Sequence, residues 1–314
     1  MTSLNNNKSE YVELMGLAVE PSTLRKYTKA YNHFISYCSR QGLLASCAAD
    51  IDKHLMHYVQ HLYDSQLSFD MASCAIYGVQ HFHPWLADKL RRSKLALKGW
   101  KRAHPSESHP PLTWELTCLL ATWLTLHHHH DAGLAVLVGF DCYLRIGEIL
   151  GLKVSDIASA NDPRLGAAYS GSMLRLAKTK TGRNQSVTIE NPSVARLLAR
   201  HLRNRKPSDP VFSVSKHSFY TLFHKACKAF GLDDQGYSPH SLRHGGATRH
   251  HMLGRPIADI QLRGRWSDAK SVRIYIQSGR ALLLVNEVDP DVFAVGAGCA
   301  QHIHLLLEWL WRRV

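Results

Sequence analysis

Six side chains spread over roughly half of the 314-residue chain could together act on a phosphodiester: Arg145, Lys180, His240, Arg243, Trp266 and Tyr275. They stand in distinctive settings. These are Leu144-Arg145-Ile146-Gly147-Glu148, Lys178-Thr179-Lys180-Thr181-Gly182, His240-Ser241-Leu242-Arg243-His244-Gly245 and Gly264-Arg265-Trp266, with Tyr275 nine positions after the tryptophan. Two arginines suit a phosphate, because a guanidinium offers a planar fork of donors and stays charged at any working pH. A tyrosine supplies an oxygen nucleophile, and no acidic cluster stands nearby to hold a metal. The chemistry these types allow is the breaking of a nucleic-acid backbone through a covalent protein intermediate.

The order Arg, Lys, His, Arg, His-or-Trp, Tyr resembles the active site of the tyrosine recombinases, or phage-type integrases. The resemblance covers about residues 20 to 280. Any single piece is weak, since His-x-x-Arg occurs by chance in many proteins. The joint pattern is specific, because order, the LRIGE setting, the KTKTG turn and the Trp-to-Tyr spacing coincide. The stretch from His240 through Gly279 is also similar to recombinases of DIRS-like and Crypton-like mobile elements.

The resemblance implies a role for each residue, and each role has a plainer rival. Tyr275 is the expected nucleophile; its hydroxyl, with an ordinary pKa of ~10, needs positive neighbours. Otherwise it packs a helix face between Val272 and Ile276. Arg145 and Arg243 are expected on the non-bridging oxygens. Their rivals are a salt bridge from Arg145 to Glu148, one helical turn on, and surface solvation for Arg243. Glu148 is expected to orient Arg145 or hold the turn. His240, three residues before Arg243 and so on the same helix face, is expected to bind phosphate and exchange a proton with Tyr275. His244 is expected as buried support. Trp266 replaces the commoner histidine; its indole can bond a phosphate oxygen and pack Tyr275, and has no proton to give. Lys180 is expected in a hairpin turn beside the leaving oxygen, with Lys178 as competitor; mere backbone contact is the alternative for both.

Lys plus Arg exceed Asp plus Glu by 38 − 25 = 13, which points to a polyanionic partner. Lys89, Arg91, Arg92, Lys94, Lys98, Lys101 and Arg102 fall within 89–102 with no acid among them. Such a run can be a solvated helix face, but beside a phosphoryl-transfer site it reads as DNA-backbone contact. Seven cysteines with no CxxC pair fit reduced thiols. The polar, Asn-rich start carries no signal-peptide pattern and the apolar runs are short of a membrane span, so a cytoplasmic or, in a eukaryote, nuclear location is expected. His127 to His130 cannot all face one ion from a helix, and no Cys or Asp/Glu pattern completes a metal site.

The expected architecture is mainly α with a small antiparallel β-sheet. Residues 1–20 read as a flexible arm. Residues 21–104 read as a helical core-binding (SAM-like) DNA-binding domain, with Leu24, Tyr27, Tyr31, Phe34 and Ile35 at helical spacing after a Ser22 cap. Helices follow at about 51–64, 70–84 and 86–100. The Pro- and Ser-rich stretch 105–112 is a linker. The α+β catalytic domain spans 113–280: a helix capped by Thr113, helices at 131–141 and 145–152, strands at 173–177 and 185–189, and helices at 193–205, 215–230, 239–252, 256–263 and 268–279. Residues 281–314 form a tail whose apolar face, with Leu305, Leu306, Trp309 and Leu310, can cover the chain's own domain or dock on a neighbour, and a protomer contact is the preferred reading.

The reading is therefore a site-specific DNA recombinase with a C-shaped clamp on double-stranded DNA. By the resemblance, Tyr275 forms a 3′-phosphotyrosine bond, a partner 5′-hydroxyl reverses it, and a homotetramer holds two duplexes. The covalent link stores the bond energy, so no cofactor, ATP or metal is required. The rivals are a monomeric type IB topoisomerase and an inactive DNA-binding descendant.

Overall fold

Two separate apolar cores divide the chain into compact units, Met1–Glu107 and Ser108–Val314. A computed structural model describes residues 13–105, 108–158, 171–179 and 182–313. Most of the expected N-terminal arm lies outside these; its described end includes a single helical turn, Glu13–Gly16.

The first unit is helical: α1 (Pro21–Arg40), α2 (Ala48–Asp64), α3 (Phe69–Phe82) and α4 (Arg91–Ala103). The start of α1 differs from expectation. Pro21, not Ser22, opens it, with Glu20 in the capping position. Proline's fixed φ and missing N–H suit the first turn, so no side-chain cap is needed. Tyr31 and Phe34 enter the core with Leu55, Tyr58 and Ile76. The basic helix α4 buries Ser93, Leu97 and Trp100 and leaves Arg91, Arg92, Lys98, Lys101 and Arg102 outward. Buried Asp52 anchors its start, accepting from the Arg92 and Ser93 amides at 2.9 Å each and from Ser93 Oγ at 2.8 Å. A carboxylate at a helix N-terminus satisfies orphan donors and complements the dipole. Lys94 is spent locally, donating to the Ala87 carbonyl at 2.8 Å. Lys89, just before the helix, is exposed, 5.5 Å from the Trp85 ring centroid.

The second unit runs α5 (Trp114–Leu126), α6 (His130–Asp141), α7 (Ile146–Leu150), β1 (Ile157–Ala158), β2 (Ser172–Thr179), β3 (Gly182–Ile189), α8 (Pro192–His201), α9 (Lys216–Ala229), α10 (His240–Met252), α11 (Ile257–Gly264), α12 (Ala269–Tyr275), α13 (Ser278–Glu287), α14 (Pro290–Gln301) and α15 (Ile303–Leu310). Thr113 caps α5 as expected, accepting from the Leu116 amide. The sheet is antiparallel in the order β1-β2-β3, with Leu174 opposite Val187 and Lys178 opposite Arg183. Leu174, Leu176, Val187 and Ile189 bury one face, as alternation requires. β1 was not foreseen: two residues carry no period. His127 bonds the Trp123 carbonyl and stacks on its ring, so the histidine run begins as a helix end.

The single helix expected over 268–279 is two. α12 stops at Tyr275, and the Thr248 hydroxyl bridges the break, donating to the Tyr275 carbonyl and accepting from the Gln277 amide, both at 3.1 Å. Tertiary hydrogen bonds here replace the next helical turn.

The tail packs on its own unit. α14 lies on α5, and α15 lies on α8 and α5. Ile303, Leu307 and Leu310 belong to the unit's core, and Leu306 packs partly buried against it. Glu308 reaches Arg196 at 2.9 Å and Arg200 at 3.3 Å. Of the face expected to meet a protomer, Leu305 and Trp309 are exposed. Leu307→Ala should therefore lower the unfolding free energy by roughly 2–5 kcal/mol, as core truncations do, whereas Trp309→Ala should leave it nearly unchanged. Urea unfolding of the two variants checks this. A neutral Leu307→Ala would mean that α15 leaves its own core in solution.

Candidate active site

The site is built on three places where helices begin or end. Arg145 occupies the capping position of α7, His240 and Arg243 lie in the first turns of α10, and Tyr275 closes α12. α10 reaches them because Gly245 and Gly246 have no side chains. A Cβ at Gly245 would collide with the Leu112 carbonyl, and one at Gly246 with the Phe140 carbonyl. The helix thus presses directly on α6 and on the chain before α5.

Glu148 organises the cations. Its Oε2 accepts from the Arg145 amide at 2.9 Å and its Oε1 from Arg145 Nη1 at 2.8 Å. Arg265 Nη2 lies 3.0 Å from Oε2, and Arg243 Nη1 lies 3.9 Å from the same oxygen. Three guanidiniums share one carboxylate, so this group carries 3 − 1 = +2. Burial alone would raise the Glu148 carboxyl, but the Arg145 amide and the Arg265 and Arg145 guanidiniums outweigh it, and the net shift is downward.

Arg243 is fully buried, which excludes the surface-solvation alternative. Its Nη1 donates to the Tyr143 carbonyl and its Nη2 to the Gly264 carbonyl. Its guanidinium carbon sits 4.5 Å from the Trp266 ring centroid and 5.3 Å from that of Tyr275. Burial and then repulsion from Arg145 and Arg265 push it down to about 9, so it stays charged at neutral pH. Trp266 lies 4.7 Å from Tyr275, centroid to centroid, with its six-membered ring against Gly264, where a Cβ would clash. Arg243 Nε and Trp266 Nε1 are buried donors with no partner among the described residues. Such donors call for an acceptor from outside the chain or from solvent.

Tyr275 Oη and His240 Nε2 are 3.2 Å apart. His244 stacks on the tyrosine at 4.4 Å and takes a bond at Nδ1 from the Gln277 side-chain Nε2 at 3.1 Å, the buried support expected of it. Burial first, then His109, Arg243 and Arg145, bring His240 down to about 4. Burial first, then His240, His109 and Arg243, bring His244 down to about 3. Both imidazoles are neutral at pH 7, so each has one donor and one acceptor nitrogen.

Arg145, His240, Arg243, Trp266 and Tyr275 therefore form one connected set. Lys180 and the side chain of Lys178 lie outside the described residues. The basic residues of 89–102 belong to the first unit. Three contributors went unread. His109, inside the expected linker, meets His240 edge-on at 5.5 Å. Tyr143 offers its carbonyl to Arg243, and its hydroxyl bonds His250. Arg265 was quoted only as part of a setting; its signal was a non-glycine residue in the left-handed region, which sequence does not display.

A fold and a site of this kind define a tyrosine-type site-specific recombinase. The chain belongs to the phage integrase family, whose model matches residues 117–281. Among solved structures, the Tn1549 transposon integrase in complex with transposon right end DNA is similar with a TM-score of 0.60 and 14% identity, over 91% of this chain and 99% of that one. A lambda integrase dimer bound to a COC′ core site gives 0.59 and 17%, over 88% of this chain and 76% of that one. A post-cleavage complex of XerH recombinase with palindromic difH substrate gives 0.52 and 15%, over 75% and 70%. At these identities the likeness is one of fold. A search of curated protein sequences gave no match.

The two depressed imidazoles make stability depend on acid. Each is harder to protonate folded than unfolded, where the pKa is 6.5, so the stability they carry is complete above pH 6.5. It is lost as pH falls through the window from 6.5 toward 4, by at most about 1.4 kcal/mol per pH unit for each histidine before solvent screening. Urea midpoints at pH 7.5, 6 and 5 should fall in that order, and His244→Gln should flatten the slope. A constant midpoint over that range would contradict the assignment.

Proposed function

We propose that the protein cleaves and rejoins double-stranded DNA with Tyr275 as nucleophile. The observation that carries this is the 3.2 Å approach of Tyr275 Oη to the neutral His240 imidazole, beside a buried cation group of net +2. The tyrosine O–H passes its proton to His240 Nε2 as Oη bonds to phosphorus. The bond from phosphorus to the 5′-oxygen breaks, leaving a 3′-phosphotyrosine and a 5′-hydroxyl. Arg145, one-quarter exposed, meets a non-bridging oxygen directly. Arg243, fully buried, acts from beneath through its field, with the unpartnered Trp266 Nε1 beside it. The phosphotyrosyl link keeps the energy of the phosphodiester, so a 5′-hydroxyl from a partner strand closes the cycle without ATP.

The first unit, corresponding to 21–104, is proposed as the core-binding domain. Its outward Arg91, Arg92, Lys98, Lys101 and Arg102 would contact phosphates, with Lys89 alongside. Residues 113–280 are proposed as the catalytic domain, and strand exchange would bring four protomers onto two duplexes inside the cell. Among the described residues no helix is long and apolar enough to cross a membrane.

Tyr275→Phe deletes only the attacking oxygen. DNA affinity should be retained and the covalent adduct lost on a suicide substrate, seen by denaturing gel. An adduct that persists in the variant would move the nucleophile elsewhere.

Lys180 is proposed as the acid for the leaving oxygen. Tyr275 has just lost its proton, and the one His240 has gained lies against Tyr275 Oη on the attacking side of phosphorus. Arg243 is buried with its Nη groups on the Tyr143 and Gly264 carbonyls, Arg145 is committed to Glu148 and a non-bridging oxygen, and the indole has none to give. Lys180→Ala should slow cleavage of ordinary DNA by about 10²–10⁴-fold, the usual worth of a general acid. It should recover on DNA with sulfur at the 5′-bridging position, a leaving group that needs no proton. Equal slowing on both substrates would reduce Lys180 to a positioning group; recovery in Lys178→Ala instead would transfer the role.

A further inference from the structure

Arg265 occupies a backbone conformation that penalises every residue with a side chain, at φ +57°. Gly264, directly before it, is not in that region and is needed for a different reason: the Trp266 ring lies where its Cβ would be. An arginine therefore stands where a glycine would be at ease. Local strain of this sort persists where the side chain is needed. The side chain is nearly sealed from solvent, so direct contact with a bound phosphate is not its use. Its Nη2 bonds Glu148 Oε2 at 3.0 Å and the Tyr143 carbonyl at 3.4 Å, and its Nη1 bonds the Arg263 carbonyl at 3.0 Å. Tyr143 is itself left-handed, at φ +48°, and its carbonyl also receives Arg243. Arg265 thus touches both the carboxylate that holds Arg145 and the carbonyl that holds Arg243.

We propose that Arg265 is a positioning residue of the phosphate site, acting through Glu148. By occupying Oε2 it divides the carboxylate between two guanidiniums. The Arg145 guanidinium is then gripped at Oε1 alone and directed without being fully neutralised. Without Arg265, the carboxylate would turn its charge onto Arg145 and Arg243, and the group would fall from +2 to 2 − 1 = +1. The inference rests on the phosphate-site reading given above, and deepens it.

The test uses the full chain and Arg265→Gly, which keeps the backbone conformation at ease while removing the guanidinium. With DNA at saturation, the single-turnover cleavage rate should drop by about a hundredfold, the cost of a misplaced group, while DNA affinity stays the same. Added methylguanidinium should restore part of the rate. In a Glu148→Gln background the same substitution should cost little further, because its target is gone. Arg265→Asn, which also tolerates the left-handed region, is the second variant if the glycine protein fails to fold. Melting shifts with orthovanadate, a mimic of the pentavalent phosphorus, give a readout independent of cleavage. They should be present in the parent and lost in Arg265→Gly. Undiminished cleavage and undiminished vanadate shift in both variants would overturn the proposal, as would a full additive loss on top of Glu148→Gln. If the parent forms no covalent adduct on DNA but its vanadate shift depends on Arg265, the strand-transfer reading fails and the positioning role stands.

Discussion

A single buried carboxylate decides how much positive charge the candidate site can keep out of water. Three guanidiniums converge on Glu148, two at about 3 Å and one more distantly. Burying an unpaired guanidinium is expensive, and stripping one partner from a buried ion pair typically costs about 3–5 kcal/mol. Glu148 lowers that cost without cancelling the charge. A second carboxylate would halve the net charge, to 3 − 2 = +1, and weaken the hold on an anion; none at all would leave three repelling cations together. One against three is the ratio that leaves a folded site still short of negative charge.

The rest of the second unit follows from holding that group together. Its members come from α7, α10 and the turn after α11, separated by about a hundred residues of sequence. They meet because α10 lies close on α6 through Gly245 and Gly246, and because two left-handed residues, Tyr143 and Arg265, aim a carbonyl and a guanidinium at one another. Beneath them Tyr143, Ala247, Ile260, Trp266 and Val272 form a small apolar cluster apart from the main core. Tyr275 packs on that cluster, so the proposed nucleophile is placed by the same residues that cover the arginines. A second ion group backs the first: Glu190 binds Arg255 at 2.8 Å and Arg263 at 2.9 Å, and Arg263 faces the Tyr143 ring.

What could be read from sequence follows the range of the interaction involved. Helices with a regular apolar period were legible, as were Thr113 as a cap and the pairing of β2 with β3, because their causes lie within a few residues. The convergence of Arg145, His240, Arg243, Trp266 and Tyr275 was legible through resemblance, since nothing within any one segment dictates it. The break after Tyr275 was not, because Thr248, on another helix, makes it. Arg265 was missed for a related reason: backbone handedness and a partner more than a hundred positions away give it meaning. In the tail, Ile303, Leu307 and Leu310 find their cover in its own unit, while Leu305 and Trp309 of the expected face stay exposed. An apolar stripe states that something must bury it and is silent on what.

The site separates two duties that one residue type could not perform. The arginines hold charge permanently, and that same charge, together with burial, keeps His240 neutral with its pKa near 4. An imidazole so depressed is a weak base for a tyrosine proton. Among the groups acting on it, Glu148 alone among the leading causes pulls the other way, toward protonation. A phosphodiester seated among the arginines would add a negative charge with the same sign of effect as Glu148 and raise the basicity of His240. In the proposed role of proton acceptor, His240 would thus be weakest in the empty site and strengthen as the anion arrives. On the proposed mechanism, Tyr275 would then meet its electrophile and its base together, when the anion is bound.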